Sequence, residues 1–197
     1  MNAVAARLRE LDARAQQGSS RLADLIERLE LKEGYEGEHT AAVSRVAVAL
    51  AWQLGLTPTA RRQIELGALL HDIGKLTVPD RVLTKSGPLN ELEWTAMRRH
   101  TALGERMLLH IVDLPDVLSI VRSHHERWDG QGYPDGISGE DIPLGARVVA
   151  VADAYQAMIE IRPYRRPRSP EEALAEIAGE AGRQFDPACV EALRAVI

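Results

Sequence analysis

The sequence is short of cysteine: Cys189 is the single one in 197 residues. One thiol excludes an intramolecular disulfide framework and any thiolate-rich metal site, so a bound metal has to rest on histidine and carboxylate ligands. Long apolar runs are missing as well. No stretch approaches the roughly 20 residues that cross a bilayer, and Arg7, Arg9 and Glu10 stand where a signal peptide needs its apolar segment. There is no basic excess: 24 Lys and Arg face 29 Asp and Glu, for a formal charge of −5 and a pI of about 5.7. That balance gives no broad electrostatic footprint for a nucleic acid polymer, although a local basic patch can still grip phosphate. The expectation is a soluble, cytoplasmic protein without a membrane segment. Its 45% hydrophobic content over this length suits one core.

Strand-like alternation is the last absence. The short β-branched run at 148–151 sits inside a helical period, so the expected fold class is all-α. Val4, Leu8, Leu11 and Ala15 fall at helical spacing, and Gly18-Ser19-Ser20 breaks that helix and caps a second one with Leu22, Leu25, Ile26 and Leu29 on one face. This leading segment reads equally as a packing arm, a coiled-coil stub or a linker remnant. From Glu38, Val43, Val46, Ala47, Leu50 and Leu54 mark an amphipathic helix that Gly55 closes. Thr57-Pro58 starts the next, which runs into His71-Asp72. Residues 77–89 read as an ordered loop, and Asn90 with Glu93 forms a capping box for a helical region through Met107. Further helices begin at Pro115, after Pro143, at Ser169-Pro170 and at Asp186-Pro187.

The chemistry lies in histidine. Five of the six, His39, His71, His100, His124 and His125, fall at or near helix ends or on faces able to turn to one cleft; His110 has no acidic or histidine neighbour. Adjacent residues on a helix do not share a face, so His71 with Asp72, and His124 with His125, converge only where a helix is ending. Gly74 and the turn at 129–132 supply such endings. With Asp72 and Asp153, the inventory is five imidazoles and two carboxylates, enough for two metal ions with one Asp bridging.

His71-Asp72-Ile73-Gly74-Lys75, His100, the run HHERWDGQGYPDG from His124 to Gly136, Ile142-Pro143, ARVVAVADAY and Arg162-Pro163-Tyr164-Arg165 follow one another in this order. Together they closely resemble the HD-GYP branch of the HD phosphohydrolase superfamily, over about residues 38–194. The resemblance implies an HD-domain helical bundle at 38–197 behind an N-terminal arm or linker of two short helices at 1–37. It also implies a phosphodiesterase that hydrolyses cyclic di-GMP to pGpG, GMP or both. By the match, His39, His71, Asp72 and Asp153 hold one divalent ion; His100, His124 and His125 hold the second, with Asp72 as the bridge. Histidine with carboxylate favours iron or manganese over a structural zinc. The expected catalytic residues are Asp72 and Lys75: a hydroxide held between two cations attacks in line, and Lys75, one helical turn past His71, sets its ammonium on a non-bridging phosphate oxygen. Substrate contacts are expected from Lys75, Tyr133, Arg162, Tyr164 and Arg165, since Arg grips phosphate with two bonds or guanine on its acceptor edge. Arg166 and Arg168 read as solvated, and Trp128 as core.

The chain departs from the family pattern in three places. Three-metal members carry Glu one helical turn before the first histidine, where this chain has Tyr35, so two ions are expected. The Asp that usually follows Asp153 by three residues is Gln156, and the usual Thr-Ser pair before the RPY run is Ile159-Glu160. Both changes fall where substrate is held, so they bear on affinity or on the choice of cyclic dinucleotide. The alternatives are a cyclic-dinucleotide sensor with impaired chemistry and an HD hydrolase of another nucleotide. Family members commonly carry a receiver or other sensory domain, for which the first 37 residues are too short. Input is therefore expected through a signalling partner such as a diguanylate cyclase or receiver domain, through a homodimer formed by the N-terminal helices, or through a further domain.

Overall fold

The computed structural model describes residues 22, 24, 25, 27–29, 31, 32, 38–111, 113–160 and 166–197. The all-α expectation holds: among the described residues there is no strand, only an isolated bridge between Ala181 and Phe185. Helix α1, Glu38–Gln53, buries Val43, Ala47 and Leu50 along one stripe. It ends at Gly55, whose φ of 69° lets Leu56 N–H reach back to the Ala51 carbonyl at 3.1 Å. Helix α2, Pro58–Leu70, starts where the Thr57 hydroxyl accepts from Ala60 N–H at 3.2 Å. The segment expected as a loop contains the end of a 3₁₀ turn, Ile73–Thr77, and a single helical turn, α3, Asp80–Leu83.

Helix α4, Glu91–Arg98, opens on the expected capping box, with both reciprocal Asn90–Glu93 bonds formed. The helical region that it opens breaks at Arg99, and α5, His100–Leu108, follows. Helices α6, Pro115–Ser123, and α7, Leu144–Ile159, carry the second half of the site. Helix α8, Pro170–Gly179, has its own capping box from Ser169 and Glu172, and Asp186 caps α9, Pro187–Val196, through Ala188 N–H at 2.8 Å.

Helix α2 is central because both of its sides are apolar. Ile64 and Ala68 face a core shared with α1, α7, α8 and α9, which includes Leu50, Val148, Ala152, Ile177 and Leu193. Leu66, Leu69 and Leu70 face a second core with Ile73, Leu108, Val117 and Val121. Ile120 of α6 seats between two glycines: a Cβ on Gly67 would lie 2.7 Å from it, and one on Gly145 2.6 Å. These close approaches draw the end of α6 toward both α2 and α7. Arg147 donates to Asp186 at 2.7 Å and to the Ile142 carbonyl at 2.8 Å, fixing α7 to α9.

Of the leading segment, Leu22 and Leu29 are buried in the second core, and Lys32 donates to the Leu76 carbonyl at 3.0 Å and pairs with Asp80. The first expected helix lies outside the described residues. No helix among the described residues is long and apolar enough to cross a membrane.

Candidate metal centre

His71 follows α2 directly, His100 opens α5 one residue beyond α4, and His124 follows α6. Each therefore stands at the C-terminal end of a helix, where the last carbonyls have no partner in their own ladder. Each uses Nδ1 to satisfy one: His71 on Ala68 O at 2.7 Å, His100 on Met97 O at 2.8 Å, His124 on Val121 O at 2.9 Å. A carbonyl only accepts, so Nδ1 carries the proton in all three rings. In the neutral ring, Nε2 then keeps its lone pair, the arrangement that metal-bound imidazoles show.

These Nε2 atoms turn to Asp72. Its Oδ1 lies 3.4 Å from His100 Nε2 and 4.0 Å from His124 Nε2, and the two imidazole nitrogens are 3.4 Å apart. Three atoms so spaced share a point about 2.1 Å from each, a metal–imidazole bond length. Its Oδ2 faces the other way, 3.1 Å from His71 Nε2 and 2.7 Å from Lys75 Nζ. The His125 ring lies 4.2 Å from that of His124, by centroids and tilted by 43°, and joins the first set; His39, His71 and Asp153 form the second. Within each set one ligand atom per residue lies inside 4.8 Å of all the others. His39 Nε2 is 3.2 Å from Asp153 Oδ1. All seven residues expected as metal ligands are thus brought together, and His110 is exposed and apart, as read from the sequence.

The site's electrostatics are those of a crowded set of donors. Burial alone would raise Asp72, but the Lys75 ammonium and His71 beside it hold its carboxyl well below the ordinary range. Burial would lower His71, yet the Asp72 and Asp153 carboxylates outweigh it and raise its pKa from 6.5 to about 9. His124 falls well below its ordinary value through burial and the neighbouring imidazoles, and His125 falls to about 4 for the same reasons. His71 Nε2 and Asp72 Oδ1 are buried without a hydrogen-bond partner. One orphaned atom thus stands in each histidine set; buried polar atoms without a partner are costly unless a cation meets them, and this donor set fits one.

Other expected site residues are placed less simply. Tyr133 N–H donates to the His125 carbonyl at 3.2 Å, and its ring lies 4.9 Å from that of His125, so it backs a candidate ligand. Trp128 is half-buried, with the Arg147 guanidinium 5.7 Å from its ring. Arg162, Tyr164, Arg165 and Tyr35 lie outside the described residues. Two contributors, Arg98 and Glu126, escaped the sequence reading, and a third, Glu160, was read only as a change on the substrate side. Arg98 lies 5.6 Å from the Tyr133 ring. Glu126 accepts from Asp135 and Gly136 N–H at 2.7 and 3.1 Å, folding the glycine loop back on the histidine pair. Glu160 stands 3.2 Å from His39 Nδ1. Nothing in the spacing marks Arg98 or Glu160; an acidic residue directly after His124-His125 was the one available signal for Glu126.

The family model described as HD domain matches residues 9–189. The chain belongs to the HD domain family. Among curated relatives, the HD domain is 42% identical over 192 residues to a protein named cyclic di-GMP phosphodiesterase response regulator RpfG, of Xanthomonas campestris, covering 95% of this chain and 50% of that one. It is 33% identical over 177 residues to a protein named 3'3'-cGAMP-specific phosphodiesterase 2, of Vibrio cholerae, covering 86% and 33%. The HD domain thus spans half or less of the length of these relatives. A crystal structure of a cyclic GMP-AMP specific phosphodiesterase of Vibrio cholerae superposes with a TM-score of 0.64 at 23% identity, covering 87% of this chain and 46% of that one. At that identity the likeness is one of fold.

Proposed function

We propose that this HD domain is the catalytic part of a metal-dependent cyclic di-GMP phosphodiesterase that releases pGpG, GMP or both. One observation carries the reading: the Asp72 carboxylate turns its two oxygens to two histidine sets, whose rings at His71, His100 and His124 have already committed Nδ1 to carbonyls. His39, His71, Asp72 and Asp153 would hold one ion of iron or manganese, and His100, His124 and His125 the other, with Asp72 shared. Two such ions, when bound, generate a nucleophile from water near neutral pH and neutralise charge growing on a phosphodiester. Asp72 stays ionised throughout, because Lys75 and His71 flank it. Lys75, anchored on Asp72 Oδ2, presents its ammonium to a non-bridging phosphate oxygen. Tyr133 closes the edge beside His125, and Arg162, Tyr164 and Arg165 bind phosphates or guanines by the motif they match.

The relative in Xanthomonas campestris supports cyclic di-GMP as the substrate. A second reading, a mixed cyclic dinucleotide, is favoured by the relative named for 3'3'-cGAMP and by the altered positions Gln156 and Ile159-Glu160. Residues 38–197 are proposed as the hydrolase domain, with 1–37 as its arm, working in the cytoplasm under a signalling partner or as a homodimer through the arm. Incubating iron- or manganese-loaded protein with cyclic di-GMP and with 3'3'-cGAMP, followed by chromatography of products, tests the reading. The expected result is linear pGpG or GMP, formed faster than products of the mixed substrate. No turnover of cyclic di-GMP with either metal, reduced or oxidised, would refute it.

A further inference from the structure

His39 differs from the other histidines of the centre in how its ring is oriented. It is the second residue of α1, so it closes no helix end and cannot use the carbonyl device of His71, His100 and His124. Its Nε2 makes a hydrogen bond with Asp153 Oδ1 at 3.2 Å, on the side shared with His71, and an ion held there would replace that bond. Its Nδ1 is buried and has no hydrogen bond of good geometry, yet Glu160 Oε2 lies 3.2 Å away, at ion-pair distance. Both side chains are largely withdrawn from solvent, at 16% and 22% exposure. Glu160 terminates α7, the helix that also carries Asp153, so one helix brings both carboxylates to the two nitrogens of one ring.

We propose that Glu160 is a positioning residue for the metal centre: its carboxylate takes the Nδ1 proton of His39 as a hydrogen bond and so reserves the Nε2 lone pair for an ion shared with His71 and Asp153. This rests on the metal-dependent reading above. A carboxylate behind a metal-bound imidazole fixes the tautomer and makes the ring a more basic ligand than a carbonyl does. The residue that departs from the expected polar pair before the RPY run thereby acts on the metal side of the site.

The test is titration of the metal-depleted full chain with Mn²⁺, with free ion read by electron paramagnetic resonance. Glu160→Ala is expected to weaken one of the two bound ions by about 10- to 100-fold and leave the other, held by His100, His124 and His125, unchanged. Glu160→Gln keeps an oxygen that accepts from Nδ1–H, and its affinities are expected within about threefold of native. In the Zn²⁺-loaded protein, ¹⁵N shifts of His39 should report an Nδ1–H ring in the native chain and in Glu160→Gln. Native-like affinity in Glu160→Ala, equal loss in both variants, weakening of both ions together, or an Nε2–H ring in the native protein would each overturn the role. A native chain that takes up no Mn²⁺ would overturn the metal reading itself, and the role of Glu160 with it.

Discussion

Asp72 turns one oxygen to each histidine set, and the Lys75 ammonium meets its Oδ2 at 2.7 Å. The two are separable by mutation. Asp72→Ala removes the oxygens facing both histidine sets, so metal content and turnover should fall together to background. Lys75→Ala leaves every proposed ligand in place; turnover should drop by about 100-fold, the scale of one lost charge-stabilising donor, with metal content near native. Elemental analysis beside product chromatography separates these outcomes, and an equal loss of metal in both variants would remove Lys75 from the reaction. Protons make a second test. In the metal-free chain, His71 has its pKa raised from 6.5 to about 9, so its charged form contributes stability that is full below about 6.5 and is lost as pH rises through about 9. An ion has to displace that proton, whereas His125, lowered to about 4, has none to give near neutrality. Mn²⁺ uptake should therefore strengthen toward pH 9, and calorimetry in buffers of different ionisation heat near neutral pH should find about one proton released per chain.

Local chemistry made most elements readable in advance. The capping boxes at Asn90 and Ser169, the prolines at 58, 115, 170 and 187, and Gly55 each act on backbone within a few residues, and all stand at the expected boundaries. The break at Arg99 had no such marker, having neither glycine nor proline. The gathered histidines and carboxylates were legible through the ordered family motif; the rule that adjacent residues converge only at a helix end marked His71-Asp72 and His124-His125 alone. Glu160 and Arg98 were not legible, because their partners His39 and Tyr133 are supplied by tertiary packing. The 3₁₀ turn Ile73–Thr77 shows how tight that packing is: a Cβ on Gly74 would sit 1.8 Å from the His100 carbonyl and 2.7 Å from Gly104 N. Gly74→Ala should push α5 from the turn, cost about 1–3 kcal/mol in denaturant unfolding, and weaken Mn²⁺ binding by parting His100 from Asp72.

At the scale of the molecule, two apolar cores meet across α2, and Leu22 and Leu29 belong to the second of them. Leu29 is buried in that second core, which the end of α2 and residues of α6 also supply. Leu29→Ala should cost about 2–5 kcal/mol in chemical denaturation and lower metal affinity through α2; a loss under 1 kcal/mol would show that the arm only rests on the surface.

His71, His100 and His124 close the ends of α2, α4 and α6 through Nδ1 while their opposite nitrogens gather at one carboxylate. Two ions, one on His71 and the other on His100 and His124, would staple three helix ends with the same bonds that would arm the site. The stiffness of the bundle would then follow metal supply: in the metal-depleted chain these ends should fray first, with the amides around Val121–His125 opening to solvent exchange before the cores on either side of α2 loosen.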